Sequence, residues 1–232
     1  MYYDISFLLL IPAMIFAIAA SAGVRATFNK YAQTSNSMGF TGAQAARRVL
    51  DANGLTDVGI QQVAGNLTDH YDPRTKTIRL SQGVCESRSI SAVAVACHET
   101  GHALQHANGY APLQIRSMLV PVANAASSFT WILIMLGIMV MASGRGSAGA
   151  LLFDIGVIVF LAVVAFHVVT LPVEFNASNR ALEQMEVLNI TVGEENTAAR
   201  KVLTAAAWTY VAGLAVAVAN LLRLLAIRGS RR

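Results

Sequence analysis

The chain has 232 residues, of which 55% are hydrophobic and 13% charged, with a net charge of +4 at neutral pH. Soluble globular domains carry about 25% charged residues, so this deficit, with a mean hydropathy of +0.52, excludes an ordinary soluble domain and points to a membrane protein. The basic surplus includes no arginine-rich run with interleaved aromatics, which argues against nucleic acid as a partner and for charges that flank membrane spans.

Ile5 to Val24 carries no charge and is long enough to cross a bilayer, which takes about 20 residues. Ala20-Ser21-Ala22 resembles a signal-peptide cleavage site. However, Met1 to Ser6 has no Lys or Arg and carries Asp4, unlike the basic start of a signal peptide. A retained membrane helix is expected. A polar segment follows, from Arg25 to Ser117. Within it Thr41 is placed to cap a helix through Ala43 to Leu50, with Asn53-Gly54 as its stop and Arg47-Arg48 on a solvated face. Val58 to Ala64 is strand-like. His70-Tyr71-Asp72-Pro73-Arg74 is turn chemistry, with His70 a solvated turn residue. Thr77 to Ser81 alternates like a half-buried strand. Ile90 to Ala107 reads as a helix rich in Ala and Val, with Cys97 a small core residue; Cys85 and Cys97 make no CxxC pair.

Leu119 to Met141 and Leu151 to Leu171 are the second and third apolar stretches; Asp154 and His167 near the ends of the third read as interfacial. A second polar segment runs from Pro172 to Lys201, and Pro172 suits the first turn of a new helix. Leu203 to Leu222 is the weakest span, because Thr204, Thr209, Asn220 and the following Arg223 suit packing inside a bundle. Arg228 to Arg232 suits lipid headgroups. Four spans put both polar segments on one side of the membrane. The flanking charges there (Arg25, Lys30, Arg116, Arg180, Arg200, Lys201) outnumber those opposite (Arg145, Arg228, Arg231, Arg232). That bias leans towards a cytoplasmic location for the polar segments. The expected divisions are 1–24, 25–118, 119–171, 172–202 and 203–232.

Chemistry concentrates in His98-Glu99-Thr100-Gly101-His102. This His-Glu-x-x-His spacing puts two zinc ligands on one helical face with a general base beside them. A catalytic zinc usually has three protein ligands and an open position for water. The metzincin pattern requires Gly at 105 and His at 108; Gln105 and Asn108 stand there, which excludes that class. His106 is eight residues from His98, about 12 Å along a helix, too far to share an ion, and reads as a supporting or surface residue. Glu174 is the best third ligand, near the start of the second polar segment. Glu183, Glu186, Glu194 and Glu195 compete with it but sit on ordinary polar sequence.

Glu174-Phe175-x-Ala177-Ser178 downstream of Ala96-Cys97-His98-Glu99-Thr100-Gly101-His102-Ala103-Leu104-Gln105-His106 resembles the YugP-like bacterial membrane zinc metallopeptidases, relatives of the heat-shock and prenyl-protein membrane proteases. Leu67 to Pro73, Arg79-Leu80-Ser81 and Ala205 to Tyr210 extend the resemblance over most of the chain. It implies a mainly α-helical integral membrane protein with about four transmembrane helices and a small α+β zincin-like catalytic domain. It also implies a gluzincin-like site holding one zinc ion on His98, His102 and Glu174, with Glu99 as the base. The wider relatives often have Asp where this chain has Ser178, so the support of a histidine ligand must differ here.

The expected activity is metal-assisted hydrolysis of peptide bonds in membrane or membrane-proximal polypeptides, at the surface of the lipid bilayer. Thr77 to Ser81 is the strand expected to pair with an extended substrate. Candidates for supporting the site or donating to the oxyanion are His106, Ser178, Arg180, His167 and Tyr210. The competing reading is a non-catalytic membrane scaffold with a structural metal. Structural zinc sites are closed by four ligands and are commonly rich in cysteine, and two cysteines argue against one. A transporter would show repeat symmetry or paired broken helices, which the sequence lacks.

Overall fold

Backbone that meets lipid must close its hydrogen bonds internally. In a computed structural model that describes residues 5–229, all four apolar stretches are helical. After a 3-10 turn at Ile5–Leu9, α1 spans Leu10–Ala32 and runs unbroken through Ala20-Ser21-Ala22. The other long helices are α5 (Ala111–Ala142), α6 (Gly146–Val187) and α7 (Glu194–Gly229). All four are long and apolar enough to cross a membrane. Asp4, Arg231 and Arg232, invoked above for the leader and the basic tail, lie outside the described residues.

The polar segments supply the remaining elements: α2 (Gly42–Ala52), β1 (Gly59–Val63), β2 (His70–Asp72), β3 (Thr77–Ser81), a short α3 (Gln82–Cys85) and α4 (Ile90–Ala107). α2 begins where expected. The Thr41 hydroxyl accepts from the Gln44 N–H, and the Gln44 side chain accepts from the Thr41 N–H, a reciprocal box that satisfies two otherwise orphaned donors. Asn53 closes the helix, and Gly54 follows at φ +72°, a conformation that favours glycine. Arg47 and Arg48 are tethered rather than merely solvated. Arg47 donates to the carbonyls of Val58 and Leu55, and Arg48 to that of Leu188.

Three expectations about the secondary-structure elements change. His70-Tyr71-Asp72 is a strand, not part of the turn, because β2 pairs antiparallel with β3 through Tyr71 opposite Ile78; the reversal occupies the residues after Asp72. β3 is buried along nearly its whole length rather than on one face, and the sheet order β1-β3-β2 makes it the middle strand. Both of its edges are therefore paired, and it has none to offer a substrate. Pro172 does not open a helix. It lies inside the 42-residue α6, where the missing N–H removes one internal bond and the helix continues.

The chain separates into two compact units. One comprises the described parts of 1–19, 114–171 and 210–232. Its core includes Ile134, Phe153, Phe160 and Leu224. α5 and α6 meet backbone to backbone, because a Cβ on Gly137 would run into Gly149 and Phe153, and one on Gly149 into Gly137 and Met141. Small residues at such crossings let membrane helices approach closely. Asp154 is not simply interfacial: it pairs in a two-bond fork with Arg228. His167 packs against Phe166 and beside Gly213. Outward-facing Met118, Phe129, Met139, Leu151 and Ile158 are exposed, an apolar surface that suits lipid and not water.

The second unit comprises 20–113 and 172–209. α4 lies at its centre. Ala96 and Ala103 join Ala46, Leu50, Ile78 and Leu80 in a cluster with α2 and the sheet. Val93 and Cys97 join Ala181, Met185, Ala199 and Val202 in a second cluster with α6 and α7. Packing on both sides explains why α4 is built from alanine and valine. Ser89 starts it by accepting from the Ala92 N–H.

Candidate metal centre

α4 and the 172–187 portion of α6 cross at Gly101 and Ala177. A Cβ at Gly101 would overlap the Ala177 carbonyl, carbon and Cα, so only glycine permits this approach. The contact sets Glu174 and Ser178 of α6 over His98 and His102 of α4. Gly101→Ala is expected to force the helices apart, costing about 1–3 kcal/mol as overpacking in a dense core. A thermal unfolding curve of the variant tests this; an unchanged midpoint would contradict it.

Glu174 Oε2 lies 3.3 Å from His98 Nε2 and 3.6 Å from His102 Nε2. One ligand atom from each of the three residues lies within 4.8 Å of the others. Atoms bound about 2.0–2.2 Å from a tetrahedral ion lie roughly 3.3–3.6 Å apart, and both histidine–glutamate spacings match that of a zinc-sized cation. The imidazole rings stand edge to face, 4.8 Å between centroids. Glu174 is 1% and His102 8% exposed. A charge buried this deeply needs a cationic partner.

Each ring nitrogen turned away from Glu174 is held. Ser178 Oγ lies 3.1 Å from His98 Nδ1. Gln105 Oε1 lies 3.0 Å from His102 Nδ1. Glu99 is 7% exposed. Burial pushes its carboxyl up to about 7, aided by the negative charges of Glu174 and Asp69. His98 and a hydrogen bond from the Tyr71 backbone N–H oppose the rise. Asp69 is fixed by the Ser81 N–H and hydroxyl, which ties the loop before β2 to β3.

The remaining candidates separate. His106 points its Nδ1 at the Tyr71 hydroxyl, 2.9 Å away, and is not among the clustered ligand atoms. Arg180 Nε donates to Asn176 Oδ1 at 2.8 Å. His167 and Tyr210 belong to the other compact unit. Sequence reasoning missed Gln105, Asn176 and the Tyr71 amide. Gln105 had a legible signal: three residues beyond His102, it shares that helical face. The Tyr71 amide had none, since it depends on sheet pairing.

Two histidines and a glutamate at ligand spacing, in a chain with four bilayer-length helices, define a helical membrane protein with a candidate His2Glu metal centre. The family model described as "Putative neutral zinc metallopeptidase" matches residues 6–229, and the chain belongs to that family. It is 44% identical over 219 residues to the "Putative membrane protease YugP" of Bacillus subtilis (strain 168), covering 94% of each chain. No solved structure matches it.

Proposed function

We propose that this protein is a membrane-embedded zinc endopeptidase that hydrolyses peptide bonds of membrane or membrane-proximal polypeptides. The observation that carries the reading is the approach of one Glu174 oxygen to both histidine Nε2 atoms, with the buried Glu99 next in sequence to His98. Family membership supports it. His98, His102 and Glu174 hold one zinc ion in a gluzincin-like arrangement, within a small zincin-like domain. When bound, zinc supplies a Lewis acid that polarises the scissile carbonyl and acidifies water.

Glu99 does the proton work. Its carboxylate takes a proton from the attacking water and delivers it to the leaving amide nitrogen as the C–N bond breaks. The substrate strand is assigned to β2 rather than β3. β2 is an edge of the sheet, and its Tyr71 amide reaches Glu99, so an extended polypeptide added there passes beside the base. The reading has the four long helices crossing the bilayer, and the basic flanks of the polar segments lean towards a cytoplasmic active site.

The test is proteolysis of an unfolded, membrane-associated polypeptide by the detergent-purified full chain. Cleavage is expected to stop on chelation and return with stoichiometric zinc. Cleavage that survives complete zinc removal would overturn the reading.

A further inference from the structure

The geometry points to Gln105 as a positioning residue: its side-chain amide fixes His102 with the proton on Nδ1 and the Nε2 lone pair towards Glu174, and ties the two histidines of α4 to the glutamate of α6. This rests on the zinc-site reading above. Gln105 is fully buried. Its Nε2 donates to two oxygens of α6, the Val173 carbonyl at 2.8 Å and Asn176 Oδ1 at 3.0 Å. Those two acceptors determine which end of the amide is which. Turning it over would set its oxygen against both of these acceptor oxygens, with no hydrogen between them.

Oε1 is therefore the end that faces His102 Nδ1 at 3.0 Å. An oxygen can only accept, so Nδ1 must carry the proton, and Nε2 is left as the nitrogen with a lone pair, 3.6 Å from Glu174 Oε2. The network continues outward, because Asn176 Oδ1 also accepts from Arg180 Nε at 2.8 Å. A guanidinium at the edge of the site thus helps orient Asn176, which orients Gln105, which orients a ligand.

The histidine ligands of metal sites usually give their other ring N–H to a carboxylate, a backbone carbonyl or water. Here the two partners are a neutral amide oxygen and the Ser178 hydroxyl. A neutral acceptor fixes the ring without adding a further negative charge beside Glu174 and Glu99.

The test compares Gln105→Met with Gln105→Glu in the full chain in detergent, measuring zinc affinity by chelator competition and thermal stability of the zinc-free protein. Both variants lose the donors to Val173 and Asn176 and are expected to lose stability, Gln105→Glu the more, because it buries a carboxylate against two acceptor oxygens. Gln105→Met also removes the acceptor, and its zinc affinity is expected to fall about 10–100-fold. Gln105→Glu keeps an acceptor oxygen and is expected to bind zinc at least as tightly as the wild type. A Gln105→Met variant with unchanged zinc affinity, or a Gln105→Glu variant weakened equally, would overturn the role of Gln105 while leaving the zinc site standing. A wild-type chain that binds no zinc would overturn both. A measurement that needs no variant is the 15N spectrum of histidine-labelled wild-type protein at alkaline pH. His102 is expected as the Nδ1–H form, and an Nε2–H form would sink the assignment.

Discussion

Glu99→Gln is expected to keep its zinc and lose its cleavage. The substitution preserves shape and removes the carboxylate to which the proposed mechanism gives the water proton, while the three candidate ligand atoms belong to other residues. General acid–base catalysis contributes about 10²–10⁴-fold, or roughly 3–5 kcal/mol of barrier. The variant's turnover should fall by that factor with one zinc per chain retained. The pH profile supplies the second half of the test. Burial pushes the Glu99 carboxyl up to about 7, and a general base works only when deprotonated. Wild-type kcat/KM should therefore fall as pH drops through that region, and a bound cation, which favours the carboxylate, moves the fall to lower pH. Residual activity of Glu99→Gln should lack this acid limb. Retained turnover would remove Glu99 as the base.

Glu174→Ala is expected to leave the chain folded and largely free of zinc. The carboxylate is the one charged member of the donor set, and its Oε2 faces both histidines. Its removal should weaken binding by more than about 100-fold, the upper range for losing a residue that merely orients a ligand. His98→Ala and His102→Ala should behave likewise. His106→Ala should keep its zinc, because that ring is bonded to the Tyr71 hydroxyl. Metal analysis after dialysis reads all four variants together. Zinc retained by Glu174→Ala would require another third ligand.

Much of this architecture is legible in the residues themselves. Four apolar runs of bilayer length become four long helices. Thr41 and Asn53-Gly54 bracket α2 as their capping chemistry dictates. The His-Glu-x-x-His face and the Glu174 to Ser178 stretch come together because helical spacing and the family pattern both point there.

What sequence patterns conceal is tertiary. β2 is three residues long and ends against Pro73, too short for alternation to register, yet its Tyr71 amide is the one that lowers the Glu99 carboxyl. Thr77 and Ser81 look like the solvent face of β3 but are buried; Ser81 is held by Asp69 and Thr77 by the Thr75 carbonyl. Pro172 carries the local signature of a helix start, but the helix passes through it, as membrane helices often do at proline. Gln105 and Asn176 acquire their meaning only when two helices lie close enough to exchange hydrogen bonds, which Gly101 permits.

The unbroken course of α6 has a consequence for how it forms. At 1.5 Å per residue its 42 residues amount to about 63 Å of helix, roughly twice the 30 Å hydrocarbon thickness of a bilayer. Glu174 follows Pro172 in that helix, with no loop between it and the apolar residues before it. Starting a helix is the costly step and extending it is not. The turn that carries Glu174 is therefore an extension of helix already formed, which a polar segment set behind a loop would have to nucleate for itself.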